Sequence, residues 1–390
     1  MFNDNQQEAV IKEAGEFIRK YITPFATDYE NDRMIPREII TKLAEKGYLA
    51  ANFPVKYGGL GLDPVYYGLF TEELGKGCNS IRELITVHSA LVGETLLRWG
   101  SEQQKTFWLN AMASGRKIAA FALTEPEVGS DAKSVKTNYT KKGNNYVLNG
   151  LKKWITFGDI ADVFIVIATD VTEISAFIVE RNLPGVITTP MKGLLAGGAS
   201  HIAELSMNDV MVDSSCIIGM EGAGFTYIVN TAMDHGRYSI AWAGVALAQA
   251  AIECMVSYSR SRSQFGQKLY NFQLIQGMIG NAVTKVHAAR ALCLKAGEMR
   301  KNNHQDAVTE TTIAKHFSSR IAMEIAIDAV QVHGGNGCSN VYPVERIFRE
   351  AKILEIIEGT SQIQQEIIAK YALKRYFGDN VGRSVNPLVG

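Results

Sequence analysis

Apolar residues recur at helical spacing through the first third of the chain. Val10, Ile11, Ala14, Phe17, Ile18 and Ile22 fall on one stripe, and Ile39, Ile40, Leu43 and Leu49 on another. The spacing predicts an α-helical domain over residues 1–117. Near residue 118 the texture changes to short β-rich segments, among them 145–148, 163–169, 174–179 and 203–207, punctuated by Gly, Asn, Asp and Pro. They predict a compact β domain over 118–225. The helical period returns at 226–260, 271–301, 305–334 and 361–375, joined by polar or Gly-rich connectors such as Lys301-Asn302-Asn303 and Gly334-Gly335-Asn336-Gly337. Four long antiparallel helices predict a bundle over 226–376, and residues 377–390 read as a loose tail or an arm onto a neighbour. The fold class is α+β.

Composition narrows the function. In 390 residues Lys plus Arg and Asp plus Glu both number 40, which gives no sign of a nucleic-acid or polybasic membrane partner. The longest apolar run, Ile240 to Val256, is interrupted by Gln249 and Glu253, so no membrane span is expected. The amino terminus is polar and acidic and lacks the layout of a signal peptide, so a cytoplasmic location is expected. Cysteines at 78, 216, 254, 293 and 338 have no metal-type spacing, and their odd number argues against a disulfide framework.

Candidate chemistry centres on Glu358, in Ile353-Leu354-Glu355-Ile356-Ile357-Glu358-Gly359-Thr360-Ser361-Gln362. A carboxylate flanked by aliphatic residues is partly stripped of water, which raises its pKa toward the working range of a general base. Gly359 leaves room for a substrate beside it, and the helix expected from Ser361 puts the acid at a helix mouth. An acidic residue decorating a helix end would look the same. Three further runs carry polar and aromatic groups. Phe121-Ala122-Leu123-Thr124-Glu125-Pro126-Glu127-Val128-Gly129-Ser130-Asp131 reads as a strand passing into a turn that offers hydroxyls and backbone donors. Lys153-Trp154-Ile155-Thr156-Phe157-Gly158 reads as a strand with Trp154 and Thr156 on one face. Arg260-Ser261-Arg262-Ser263-Gln264-Phe265-Gly266, followed by Phe272-Gln273, offers a guanidinium fork and an aromatic face.

In this order, on a helical–β–helical frame, these runs and Glu358-Gly359-Thr360 resemble the acyl-CoA dehydrogenase family over nearly the full chain. The resemblance implies FAD as cofactor. Phe121, Leu123, Thr124, Gly129 and Ser130 would contact the flavin or its phosphates, with Ser130 also near the acyl thioester; Trp154, Ile155 and Thr156 would line the isoalloxazine ring. Arg262, Gln264, Phe265 and Gln273 would reach FAD held mainly by another subunit, with Gln331, Gly334 and Gly335, whose glycines admit close backbone approach. Thr360 and Gln362 complete the implied cofactor set. A homo-oligomer, dimer or tetramer, follows, with an electron-transfer flavoprotein or another electron acceptor. The Gly-x-Gly-x-x-Gly dinucleotide fingerprint is missing, so FAD would be held in the family's own mode. Glu358 would take the α proton while the β hydrogen leaves as hydride. Some relatives carry the base on the helix that here reads Met233-Asp234-His235-Gly236-Arg237, where Gly236 supplies none.

For the substrate, the resemblance places Arg82, Thr86, Ser130, Asp234, Arg237 and Gly359 around the acyl group. Arg82 lies in Cys78-Asn79-Ser80-Ile81-Arg82-Glu83-Leu84-Ile85-Thr86-Val87-His88-Ser89, a helix that lines the far end of the family's acyl pocket. A guanidinium there suits a polar acyl group better than a hydrocarbon tail, unless it pairs with Glu83 or another acid at the surface. Arg237-Tyr238-Ser239-Ile240-Ala241-Trp242 is similar to a run in glutaryl-CoA dehydrogenases. Ala199-Ser200-His201-Ile202-Ala203-Glu204-Leu205 and the Arg82–His88 run look more like the branch acting on acyl carrier proteins in polyketide and nonribosomal peptide pathways, including hydroxymalonyl and aminomalonyl extender-unit synthesis. Ile357 stands where many CoA-dependent members carry Tyr. The expectation is a dehydrogenase for a short polar acyl thioester on a carrier protein. A glutaryl-like acyl-CoA dehydrogenase, an oxygen-using oxidase on the same scaffold, and a catalytically silent carrier-binding scaffold are the alternatives.

Overall fold

The computed structural model describes residues 3–377 in three layers of structure: helices, a curled sheet, and helices again. Helix α1 (Asp4–Tyr21) opens on a reciprocal capping box between Asn3 and Gln6. Helix α2 (Pro64–Gly77) is started by Asp63, whose carboxylate accepts from the N–H groups of Val65 and Tyr66, with Pro64 at the first helical position. Helix α3 (Asn79–Ile85) runs into a wider π-type stretch, Thr86–Gly93, and every residue of both is buried. The acyl-pocket run predicted as a helix is therefore a central strut, not a surface element.

The sheet holds β1 (Ala119–Ala122), β2 (Asn138–Lys142), β3 (Asn145–Ile155), β4 (Val163–Thr169), β5 (Ile174–Glu180), β6 (Val186–Pro190) and β7 (Ala203–Asp213). Its order is β1-β4-β2-β3-β7-β6, with β5 antiparallel to β4. Phe164, Val166, Phe177, Val179 and Leu205 fill one face. Strand β1 falls at the start of the run expected to be a strand before Glu125, whereas β2 and β6 escaped the sequence pattern because they are only five residues long. One expectation fails here. Trp154 and Thr156 do not share a strand face: the register slips between Lys152 and Ile155, Trp154 takes a left-handed φ of 64°, and the strand ends at Ile155. A bulge re-aims side chains that plain alternation would have aligned.

The carboxy-terminal helices are α4 (Asn230–Ser261), α5 (Gln273–Lys301), α6 (Ala307–His333), α7 (Val344–Leu354) and α8 (Ser361–Phe377). A two-residue hairpin, Ser263–Gln264 with Gln267–Lys268, joins α4 to α5. Helix α7 was not expected; it packs on α4 and α6 and delivers the chain to Glu358. The helix from Gly224 to Ser261 is long and apolar enough to cross a membrane, contrary to the expectation from its two polar interruptions, but 78% of that window is buried inside the fold, as a core helix is. Of the expected tail, Phe377 closes α8 and the rest lies outside the described residues.

Candidate active site

Between α7 and α8 the backbone makes a tight turn in which Glu358 (φ 53°) and Gly359 (φ 89°) are both left-handed. For a non-glycine residue this costs on the order of 1–3 kcal/mol and persists only where the surroundings enforce it. Here three helices do. Arg237 Nε of α4 donates to the Glu358 carbonyl at 3.2 Å, and Lys315 Nζ of α6 donates to the Gly359 carbonyl at 2.7 Å. Gln364 Nε2 of α8 donates to both, at 3.2 and 3.0 Å.

The side chain of Glu358 is handled differently from its backbone. Among the described residues, Oε2 is buried without a hydrogen-bond partner. A Cβ on Gly236 would stand 2.3 Å from that oxygen and 3.1 Å from Leu91 Cδ1, so the carboxylate occupies the space Gly236 vacates. Burial pushes its pKa up to about 7, against the opposing pull of Arg237, Lys315 and Arg82. The flanking aliphatics are not the main cause, since Ile356 is 51% exposed. The drying surface is built by α4 and the Thr86–Gly93 stretch.

Arg82 is buried, and its charge reaches Glu358. Its Nε donates to Asn79 Oδ1 at 2.9 Å and its Nη1 to Thr86 Oγ1 at 2.8 Å, while Nη2 has no hydrogen bond and lies 3.6 Å from Glu83 Oε1. The pairing with Glu83 is thus real but sits in the interior. Glu83 is further held by Asn79 and by the Ser200 hydroxyl. Thr86 Oγ1 and Ser239 Oγ are 2.6 Å apart, and Tyr67 adds a buried hydroxyl beside Ser89, Ser239 and the Arg82 charge. This buried region is rich in hydroxyls as well as charge. Asp234 forms a two-pronged pair with Arg300 at 2.9 Å on each oxygen, leaving Arg237 as the member of that run that reaches the turn.

The other sequence-predicted residues fall in two groups. Thr124 and Trp154 are neighbours, because the Lys153 N–H donates to the Thr124 carbonyl at 2.8 Å. The loop beyond Thr124 is locked by Glu125, which accepts from Lys152 Nζ at 2.7 Å and from the N–H groups of Lys136 and Thr137 at 2.7 and 2.9 Å. Trp154 leaves its ring 51% exposed, Gly129 has open space beside its Cα, and Ser130 and Gly129 are exposed. Phe121, Leu123 and Ile155 are buried beneath them. The second group gathers at the far end of α4. Arg262, Gln264 and Phe265 stand exposed on the hairpin, Phe265 94% so, with Gln273 opening α5. Asn336 donates to the Tyr258 hydroxyl at 2.8 Å and Tyr258 stacks on His333 at 4.2 Å, which brings Gln331, Gly334 and Gly335 to the same end. Thr360 and Gln362 flank the start of α8.

Exposed Trp154, with the Lys153 ammonium 5.3 Å from its ring centre, the hydroxyls of Thr124 and Ser130 and the unobstructed Gly129 suit a flat, phosphate-bearing cofactor, and Gly334 and Gly335 offer a second unobstructed backbone at the other end. A groove of about 790 Å³ lined by Glu102, Thr106, Phe107 and Lys117 contains none of these residues. The sequence reading overlooked Lys315, Gln364, Tyr67, Ser239 and the Lys152–Glu125 pair. For Lys315 a signal existed: a lysine among the small residues Thr311, Thr312, Ala314, Ser318 and Ser319, none of which carries a counter-charge.

The chain matches the acyl-CoA dehydrogenase N-terminal domain over residues 4–116, the middle domain over 120–210 and the C-terminal domain over 222–373. It is 37% identical to an acyl-CoA dehydrogenase of Bacillus subtilis (94% of this chain, 98% of the relative) and 35% identical to the mitochondrial short-chain specific acyl-CoA dehydrogenase of Rattus norvegicus (93% and 88%). Among solved structures, butyryl-CoA dehydrogenase from Megasphaera elsdenii superposes with a TM-score of 0.91 at 34% identity (96% of this chain, 100% of that one). The prolyl acyl carrier protein oxidase AnaB gives 0.89 at 30% (95% and 99%). FkbI, for biosynthesis of the methoxymalonyl extender unit of a polyketide, gives 0.86 at 29% (92% and 99%). The chain belongs to the acyl-CoA dehydrogenase family and is an FAD-dependent oxidoreductase acting on CH–CH bonds.

Proposed function

We propose that the protein oxidises a short, polar acyl thioester, carried on the phosphopantetheine of an acyl carrier protein, with Glu358 as the base that removes the α proton. The observation that carries this reading is the meeting, in one buried region, of a carboxylate oxygen and a guanidinium nitrogen that both lack a hydrogen-bond partner among the described residues, Glu358 Oε2 and Arg82 Nη2, the latter in ion-pair range of Glu83 only. FAD supplies the hydride acceptor for the β hydrogen. Glu358, with a pKa of about 7, is about half ionised at neutral pH, and its carboxylate form is basic enough to hold a proton taken from carbon. Its fixed turn keeps the carboxylate aimed while the proton moves. The hydroxyls of Thr86, Ser239 and Tyr67 with Arg82 hold the polar end of the acyl group, favouring extender-unit-like acyl groups over fatty ones. The similarity to AnaB and FkbI supports the carrier protein, and the short-chain relatives support CoA as the second choice.

Helix α4 supports a homo-oligomer. Arg237 and Tyr258 are 21 residues apart on it, about 30 Å, so the hairpin at its end stands far from the turn that carries Glu358. The hairpin group at Arg262 and Phe265 would then serve the cofactor of a neighbouring subunit. An electron-transfer flavoprotein is the expected acceptor, and peroxide release in air would show an oxidase instead. The test is anaerobic bleaching of the flavin by one polar acyl group offered on a carrier protein and on CoA. Faster bleaching by the carrier-bound form is expected. Glu358→Gln should bind substrate and slow bleaching by about 10³-fold or more; turnover by that variant at the parent rate would sink the assignment of the base.

A further inference from the structure

We infer that Lys315 is a positioning residue for Glu358, holding the turn that carries the base through the Gly359 carbonyl and holding the base's negative charge by proximity. The inference rests on the reading of Glu358 as the base. Lys315 is fully buried in the middle of α6, with Thr311, Thr312, Ala314, Ser318 and Ser319 buried around it. An ammonium has three protons to donate and loses several kcal/mol of hydration on burial. A single carbonyl, Gly359 O at 2.7 Å, does not replace that hydration. What faces Lys315 otherwise is charge: the Glu358 carboxylate attracts it most strongly, Arg237 repels it, and Glu355 attracts it more weakly. Glu355 already pairs with Lys352 at 2.7 Å, which leaves Glu358 as the counter-ion.

The arrangement is reciprocal. Burial lowers the Lys315 pKa to about 8 and raises that of Glu358 to about 7, and each charge favours the other. The groups facing Glu358 are Arg237 from α4, Lys315 from α6 and Arg82 from α3. Of these, Arg237 is shared with the Glu358 carbonyl and Asp234, and Arg82 is shared with Glu83. Lys315 makes its one hydrogen bond to the residue next to the base, so its removal loosens the turn and unbalances the carboxylate together. A purely structural lysine would do only the first.

An infrared pH titration of the FAD-loaded protein separates these. Glu358→Gln identifies the carboxyl band, and no substrate is needed. The parent band should titrate near pH 7. Lys315→Met should move the midpoint upward by on the order of one pH unit, and Lys315→Arg should restore it to within a few tenths. A folded, flavin-loaded Lys315→Met protein with an unmoved midpoint overturns the inference, even if its thermal stability has fallen. Should that variant not fold, Lys315→Gln keeps a donor for Gly359 without the charge; an upward shift supports the inference and a parent midpoint overturns it. Failure of the base reading looks different: Glu358→Gln would still bleach the flavin with substrate, whatever the titration shows.

Discussion

Glu125 and Glu358 are both carboxylates withdrawn from water, and the protein treats them in opposite ways. Glu125 accepts from Lys152 and from two backbone N–H groups. Burial alone would raise its pKa, but the Lys152 charge, its hydrogen bond and the two backbone donors outweigh that and hold it below the usual carboxylate range. Glu358 has cations nearby, but its donors go to its backbone carbonyl and one carboxylate oxygen goes unpaired, so burial wins. Burial by itself does not mark a catalytic acid. What marks one is burial with the hydrogen-bonding groups aimed at the main chain, leaving the carboxylate's capacity for a substrate proton.

The contrast is broken most severely by removing the cation from the saturated site. Lys152→Met leaves Glu125 buried without its counter-charge and should destabilise the protein by about 3 kcal/mol or more, read as a lower urea midpoint. Next, Gly236→Ala intrudes on Glu358 Oε2 and should slow flavin bleaching by about 10²-fold while the urea midpoint stays near the parent's. An unchanged rate would mean the carboxylate has other space to use. The last effect has the opposite sign to the first. A carboxyl whose folded pKa is raised loses stability as pH climbs from its unfolded value of 4.5 through about 7. Glu358→Gln, which cannot ionise, should therefore be more stable than the parent at pH 8 by about 3 kcal/mol, and the gain should vanish below pH 4.5. If Lys152→Met and Glu358→Gln both destabilise at pH 8, the distinction between the two carboxylates is lost. The same ionisation should make the bleaching rate of the parent fall about tenfold per unit below pH 7, since only the carboxylate accepts a proton.

Much of this was legible in the residues. Helical periodicity located α4, α5, α6 and α8 because each is long, and the shift to β texture near residue 118 marked the sheet's start at Ala119. Glu358 was singled out by its aliphatic flanks and the Gly359 and Thr360 that follow, and the structure buries it, though mainly by other elements. Helix α7 was overlooked although Val344, Ile347, Ala351 and Leu354 keep helical spacing, because it is only eleven residues between two turns. The Trp154–Thr156 geometry escaped because a bulge leaves no mark in the apolar pattern. The burial of Arg82 and the hydroxyl lining from Tyr67 and Ser239 depend on α2, α3 and α4 meeting in space, which local spacing does not encode.

Gly236 gives the site a history as well as a shape. Its missing side chain and the Glu358 carboxylate fill one volume, a seat for a single acid that two helices could supply. A lineage that moved its acid from one helix to the other could not do so one residue at a time without passing through an ancestor with two acids in the seat or none. The exchange would have to be made as a pair, and Gly236→Glu together with Glu358→Gly is the variant in which that step could be replayed.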